Sequence, residues 1–264
     1  MKLSADVKKA IFVHASDVYP EECCGVIVND QYIACRNVAP TIYDKLGKLK
    51  QDKTTNFEIH PEDLANAEDI GVIQAYVHSH PNGTTRASEL DLHQIEEHKK
   101  PWFICSYPDW DITEYQPFGY TAPLLGRNFF HGWQDCYSLV RDFYQRELDI
   151  VLPNFQRDDD WWENKENASL YLENYRSAGF YQVESPQYGD VLICRVGRTE
   201  HPNHAVIWLG EQWRFKSEDT PACVGNSLIL HHMYDAKSIR EVYGYEWQSR
   251  TVLILRHKDH VKDD

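Results

Sequence analysis

No stretch of this 264-residue chain is apolar for long enough to cross a bilayer, which excludes a membrane-spanning helix. Cations are scarce: 27 Lys and Arg against 41 Asp and Glu leave a net charge of −14. That balance argues against duplex nucleic acid, whose binding needs a cationic face. It also argues against unaided adhesion to an anionic cell envelope. The opening segment MKLSADVKKAIFVHASD is broken by charges and lacks an apolar secretory core, so the expectation is a cytoplasmic start. The cysteines are odd in number and unpatterned (Cys23, Cys24, Cys35, Cys105, Cys136, Cys194, Cys223), with no spaced pairs of a zinc knuckle and no disulfide framework. Internal repeats and low-complexity tracts are also lacking. What remains is a globular chain, 42% hydrophobic and 26% charged, of a length that suits two modest domains.

Periodicity divides it. Ser4 to Val18 reads as a helix with Ser4 as N-cap and Val7, Ile11, Ala15 and Val18 on one face. CGVIVND and QYIACRNVA are β-rich runs separated by the turn signal Asn29-Asp30, so a hairpin is expected. HPEDLANAED opens with Pro61 at the first helical position. VIQAYVHSH reads as a strand, SELDLHQIEEHKK as a helix capped by Ser88, and PWFICSYP and WDITEYQ as two more strands. This first unit, an α/β mixed sheet with flanking helices, is expected over 1–117. Gly119, Pro123 and Gly126 mark a linker over 118–128. The second unit, 129–264, reads as helices followed by an antiparallel sheet, giving an α+β two-domain chain. Its helices are DCYSLVRDFYQREL and ASLYLENYRSAGF, with QRDDDWWENKEN as a surface loop between them; its strands are DVLICRV, HAVIWLG, SLILHH and TVLILR.

Two histidines one residue apart, His78 and His80, end the strand VIQAYVHSH. Alternation along a strand projects both from one face while Ser79 points away. Asp91 falls on the first turn of the next helix, close to the strand end. Two imidazoles and one carboxylate leave a fourth tetrahedral position open, which is the arrangement of catalytic zinc. An H-x-H pair alone is more often a pair of ordinary strand histidines, and Ser88 with Asp91 also suits a plain helix cap.

The full pattern is more specific. His78-Ser79-His80-Pro81, then Ser88 and Asp91 at their spacing, together with Glu22-Cys23-Cys24-Gly25 upstream, resembles the signature of the JAMM (JAB, MPN+) metalloproteases. The resemblance implies that His78, His80 and Asp91 ligate Zn2+. It also implies that Glu22 is the base for the attacking water and that Ser88 steadies the oxyanion.

Cys136 follows Asp135, a good N-cap, and heads an amphipathic helix. The positive end of the helix dipole would favour its thiolate. A nucleophilic thiol needs an imidazole, and His204, His231 and His232 lie on apolar strands that can converge on it. Read without a family, Cys136 suits a buried helix position better than a nucleophile. Asp135-Cys136 with Leu139-Val140, Gly189-Asp190, and His204 with Gly210 resemble the landmarks of the papain-like NlpC/P60 cysteine peptidases. That resemblance makes Cys136 the nucleophile and His204 the general base. The third polar residue is displaced by the insert EQWRFKSEDTPACVGN and falls in LILHH, with His231 preferred over His232.

The pairing of the two domains resembles a family of phage tail-tip proteins. It implies a hydrolase with two sites: a zinc-dependent peptidase or isopeptidase, and a cysteine endopeptidase acting on peptidoglycan stem peptides. The implied partners are other tail-tip proteins and peptidoglycan peptides, without nucleic acid or membrane insertion. The implied location is the host cytoplasm during assembly, with the tail tip of the particle left open. The competing expectation is a structural or chaperone-like assembly factor whose sites are vestigial.

Overall fold

The computed structural model describes residues 1–43, 46–157, 161–163, 166 and 169–260. The chain divides into two compact units, Met1–Thr121 and Ala122–Asp264. Within the stretch expected as a linker, 118–128, two carboxylates hold the backbone. Glu96 Oε1 accepts the backbone N–H groups of Phe118, Gly119 and Tyr120 at 2.7, 2.8 and 3.0 Å. Glu218 takes those of Leu124 and Leu125 at 2.8 and 3.1 Å, and also pairs with Arg146 at 2.8 Å. Each clamp satisfies backbone donors that would otherwise need water, and beyond them Arg146 reaches the Ala122 carbonyl at 2.8 Å while Ser238 binds the backbone of Gly126 and Arg127.

In the first unit α1 (Ala5–Val18) starts at Ser4, whose hydroxyl accepts the Val7 N–H at 3.2 Å. β1 (Cys24–Val28) and β2 (Gln31–Cys35) form the expected hairpin. Asn29 and Asp30 both take positive φ (50° and 59°), a conformation these short polar residues tolerate. A separate small pair follows, β3 (Ile42–Tyr43) with β4 (Leu49–Gln51), which sequence periodicity did not indicate. Then come α2 (Pro61–Ile70), β5 (Ile73–Pro81), α3 (Glu89–His98), β6 (Trp102–Tyr107) and β7 (Ile112–Tyr115).

The main sheet runs β2-β1-β5-β6-β7, and only β5 and β6 are parallel because α3 crosses between them. One face packs Ile27, Ala75, Val77, Phe103 and Cys105 under Val7, Ile11 and Ala15 of α1. The other packs Cys24, Val26, Tyr76 and Trp102 under Ala67 of α2 and Ile95 of α3. This three-layer arrangement makes β5 the central strand, covered on both faces. Its end is where His78 and His80 sit.

In the second unit α4 (Cys136–Glu147) and the short α5 (Leu170–Asn174) precede β8 (Phe180–Gln182), β9 (Val191–Cys194), β10 (His204–Gly210), β11 (Leu228–His231) and β12 (Ile239–Val242). α6 (Tyr245–Arg250) and β13 (Thr251–His257) complete it. The sheet order is β12-β11-β10-β9-β13-β8, with every pairing antiparallel. Leu139, Val140, Phe143 and Tyr144 of α4 bury against Val191, Ile193, Ala205, Ile207 and Leu230. The opposite sheet face carries Leu192, Cys194, Val206, Ile229 and Trp247.

The helix expected over ASLYLENYRSAGF is much shorter than its pattern. Only Leu170–Asn174 is helical, and Ala168 lies outside the described residues. Gly179 turns the chain at φ 91°, and Phe180 enters the core while pairing with His257 of β13. Closing the sheet edge wins over local helix preference. Within the loop QRDDDWWENKEN, residues 158–160, 164, 165 and 167 lie outside the described residues, whereas Trp161 is buried. Among the described residues no helix is long and apolar enough to cross a membrane.

Candidate active sites

The end of β5 and the start of α3 bring three ligand-type side chains together. His78 Nε2 lies 3.1 Å from His80 Nε2, and Asp91 places its carboxylate oxygens 3.2 Å from the first and 3.4 Å from the second. His78 and Asp91 are buried and His80 is half-buried, so the group faces outward on one side only. His80 Nδ1 lies 2.8 Å from the Thr84 carbonyl. A carbonyl only accepts, so the proton sits on Nδ1 and the Nε2 lone pair is left for a ligand. The His78 ring stacks on Phe57 (centroids 4.6 Å apart) and meets Trp102 edge-on at 5.5 Å, which fixes its orientation.

Asp91 is held by a reciprocal cap. Ser88 Oγ accepts the Asp91 N–H at 3.1 Å while the Ser88 N–H donates to Asp91 Oδ2 at 2.7 Å. One device therefore starts the helix and aims the carboxylate. Burial alone would raise the Asp91 carboxyl. The charge and hydrogen bond of His78, the bond from His80 and the Ser88 N–H outweigh it and hold Asp91 well below the usual carboxylate range.

Glu22 is buried beside this group. Burial pushes its carboxyl up to about 8, with His80 opposing the rise and the Asp91 charge adding to it. Ser79 points the other way, as alternation requires, and its Oγ accepts the Cys23 N–H at 2.8 Å. That bond ties the Glu22–Gly25 segment to β5. Gly25 is needed there because a Cβ would sit 2.4 Å from the Ile33 carbonyl oxygen.

In the second unit Cys136 is the first residue of α4, and Asp135 caps the helix through Ser138 N–H at 2.8 Å. The other Asp135 oxygen pairs with Arg157 Nε at 2.7 Å in a buried ion pair. Cys136, His204 and His232 line one pocket with Phe129, Tyr171 and Trp162. Cys136 Sγ contacts the Tyr171 hydroxyl at 3.2 Å. The expectation of a thiolate is not met. Burial, and then the negative charge of Asp135, pushes the thiol up to about 11, more than the Tyr171 contact, the Ala205 backbone bond and the Arg157 charge recover. Burial likewise drives His204 well below its ordinary value, with His231 and His232 adding to it. Both shifts favour the neutral forms, thiol and imidazole, at neutral pH.

The two candidates for a third residue separate. Val206 lies opposite His231 in the β10–β11 ladder, so His231 projects on the same face as His204. Their rings meet edge to face at 5.5 Å. His232 instead lines the Cys136 pocket, with Nε2 at 3.0 Å from the Ala236 carbonyl. Sequence reasoning passed over Tyr171, Arg157, Glu241 and Trp247. Of these, only Trp247 and Glu241 stand in a local pattern, the end of one strand and the helix after it.

The chain thus joins an N-terminal JAB-like domain to a C-terminal NlpC/P60 domain. Residues 4–116 match the family described as prokaryotic homologs of the JAB domain, and residues 126–256 match the NlpC/P60 family. The chain is 38% identical over 255 residues to the tail tip assembly protein K of Escherichia phage N15, covering 95% of this chain and 93% of that one. It is 39% identical over 201 residues to the tail tip assembly protein K of Escherichia phage lambda, covering 75% of this chain and 88% of that one. The chain belongs to this tail tip assembly protein K family.

Proposed function

We propose that this protein acts in phage tail tip assembly as a hydrolase with two independent sites, one a zinc-dependent peptidase or isopeptidase and the other a cysteine endopeptidase of peptidoglycan stem peptides. The observation that carries the reading is the convergence of His78, His80 and Asp91. Zinc–nitrogen and zinc–oxygen bonds of about 2.0–2.1 Å in a tetrahedron set neighbouring ligand atoms roughly 3.3 Å apart. The two Nε2 atoms are 3.1 Å apart, and Asp91 sets Oδ1 3.2 Å from His78 and Oδ2 3.4 Å from His80, each close to that value. Bound zinc would supply Lewis-acid polarisation of the scissile carbonyl. Glu22, buried beside the ligands, would take the proton of the attacking water in its ionised form, and the Ser88 hydroxyl keeps its own proton to donate to a developing oxyanion.

At the second site Cys136 attacks the carbonyl carbon and His204 accepts the thiol proton, later returning it to the leaving amine. Both groups start neutral, so proton transfer accompanies attack rather than preceding it. Muropeptide digestion by wild type and Cys136→Ala tests this half. A fall on the order of a thousandfold is expected; equal product from both proteins would remove the thiol chemistry.

The thiol pushed up to about 11 gives a specific reason to carry a second reading, an assembly factor that no longer uses the cysteine site. That reading predicts normal tail assembly and infection by a phage bearing Cys136→Ala.

A further inference from the structure

Three aromatic rings meet on one face of the second sheet. His204 and His231 pack edge to face at 5.5 Å, Trp247 lies nearly parallel to His204 at 5.7 Å, and Trp247 meets His231 at 4.6 Å. Both histidines are buried, as is Trp247. A single side chain holds two of the three. Glu241 Oε1 accepts from His231 Nε2 at 3.0 Å and from Trp247 Nε1 at 2.5 Å.

The ladder explains how Glu241 reaches them. Ile229 lies opposite Glu241 and Val206 opposite His231, and opposed residues share a face. Glu241 on β12 and His231 on β11 are therefore diagonal neighbours on the face from which His204 projects. The Glu241 side chain is 42% exposed, so the acceptor sits at the rim and the rings lie beneath it.

We propose that Glu241 is a positioning residue for the Cys136–His204 pair: its carboxylate fixes the His231 and Trp247 rings against which His204 is set. The proposal rests on the reading of Cys136 and His204 as a catalytic pair. Two physical consequences support it. A carboxylate acceptor at Nε2 selects the His231 tautomer with the proton on Nε2, which makes Nδ1 the acceptor. His231 Nδ1 and His204 Nε2 are both buried without a partner among the described residues, so the two rings present complementary unsatisfied polar atoms within one packed cluster. Such groups keep a defined orientation only when neighbouring rings are pinned, and Glu241 pins two with one atom.

The test uses the full chain and iodoacetamide as a probe of Cys136, read by mass spectrometry of the Cys136 peptide. Glu241→Ala is expected to slow alkylation at pH 7.5 at least fivefold, with unchanged circular dichroism, because the truncated side chain leaves no buried hole. Glu241→Gln keeps an acceptor oxygen and is expected to retain at least half the wild-type rate. In a His204→Ala background the Glu241→Ala change should have no further effect, which a merely structural role would not produce. Equal rates for wild type and Glu241→Ala, an undiminished effect without His204, or a Gln variant as slow as the Ala variant overturns the proposal. Failure of the underlying peptidase reading shows separately, as equal muropeptide cleavage by wild type and Cys136→Ala.

Discussion

The Thr84 carbonyl oxygen lies 2.8 Å from His80 Nδ1, and this one contact determines which face of the imidazole is free. With the proton committed to Thr84, the Nε2 lone pair points toward His78 and Asp91. Nothing in that arrangement requires a metal to hold the ring in place. The site is organised in advance by a loop carbonyl four residues downstream.

Zinc retention follows from this geometry. Wild type should keep about one zinc per chain through dialysis, measured by plasma mass spectrometry. His80→Ala and Asp91→Asn should each lose most of it, since three donors become two in the first variant and one charged donor becomes neutral in the second. Full retention in His80→Ala would remove His80 from the ligand set.

Ser88 and Asp91 divide their work unequally. Ser88→Ala deletes the acceptor for the Asp91 N–H but leaves the Ser88 N–H bond to Asp91 Oδ2. The expected result is a loss of about 1 kcal/mol of stability. Zinc affinity should weaken by about tenfold, as for a supporting contact rather than a ligand. Urea unfolding and competitive chelator titration measure the two. A collapse of zinc binding as deep as that of Asp91→Asn would place the hydroxyl among the ligands instead.

Much of the first unit was legible because its signals are local. Asn29-Asp30 is a hairpin turn, alternation along β5 puts His78 and His80 together, and Ser88 with Asp91 is a capping box. What sequence reading missed are contacts between elements: Phe57 and Trp102 against His78, Tyr171 on the Cys136 sulfur, Glu241 on His231. No spacing rule reports these contacts, whose partners lie from 10 to 35 positions apart. The thiolate expected at Cys136 failed for a related reason. The helix terminus is visible in sequence, but the burial that raises the thiol exists only in the folded unit.

Gly25 offers a stability test of the Glu22–Gly25 motif. A Cβ there would lie 2.4 Å from the Ile33 carbonyl oxygen and 2.6 Å from the Tyr32 ring, and a backbone atom of the paired strand cannot step aside. Gly25→Ala should destabilise the first unit by about 3 kcal/mol, at the upper end for an overpacked core. Chemical denaturation followed by hydrogen exchange on β1 and β2 checks it. A variant as stable as wild type would mean that the hairpin can shift away from Gly25.

Acid should weaken the second unit first through its buried histidines. Burial lowers His232 from 6.5 to about 4, with the nearby Arg127 charge adding and the Ala236 carbonyl and Asp135 opposing. The unfolded chain therefore takes up a proton below pH 6.5 that the folded chain refuses until about pH 4. Stability is retained above the first value and lost progressively toward the second, by about 3 kcal/mol at most for this one group. His204 and His231 shift in the same direction and add to the slope. Urea midpoints of the second unit should fall between pH 7.5 and 5. His232→Phe, which can pack against the Phe129 ring now 5.1 Å away, should show a shallower fall. A midpoint that rises on acidification would require these histidines to be charged in the folded state, and the neutral resting pair at Cys136 would go with them.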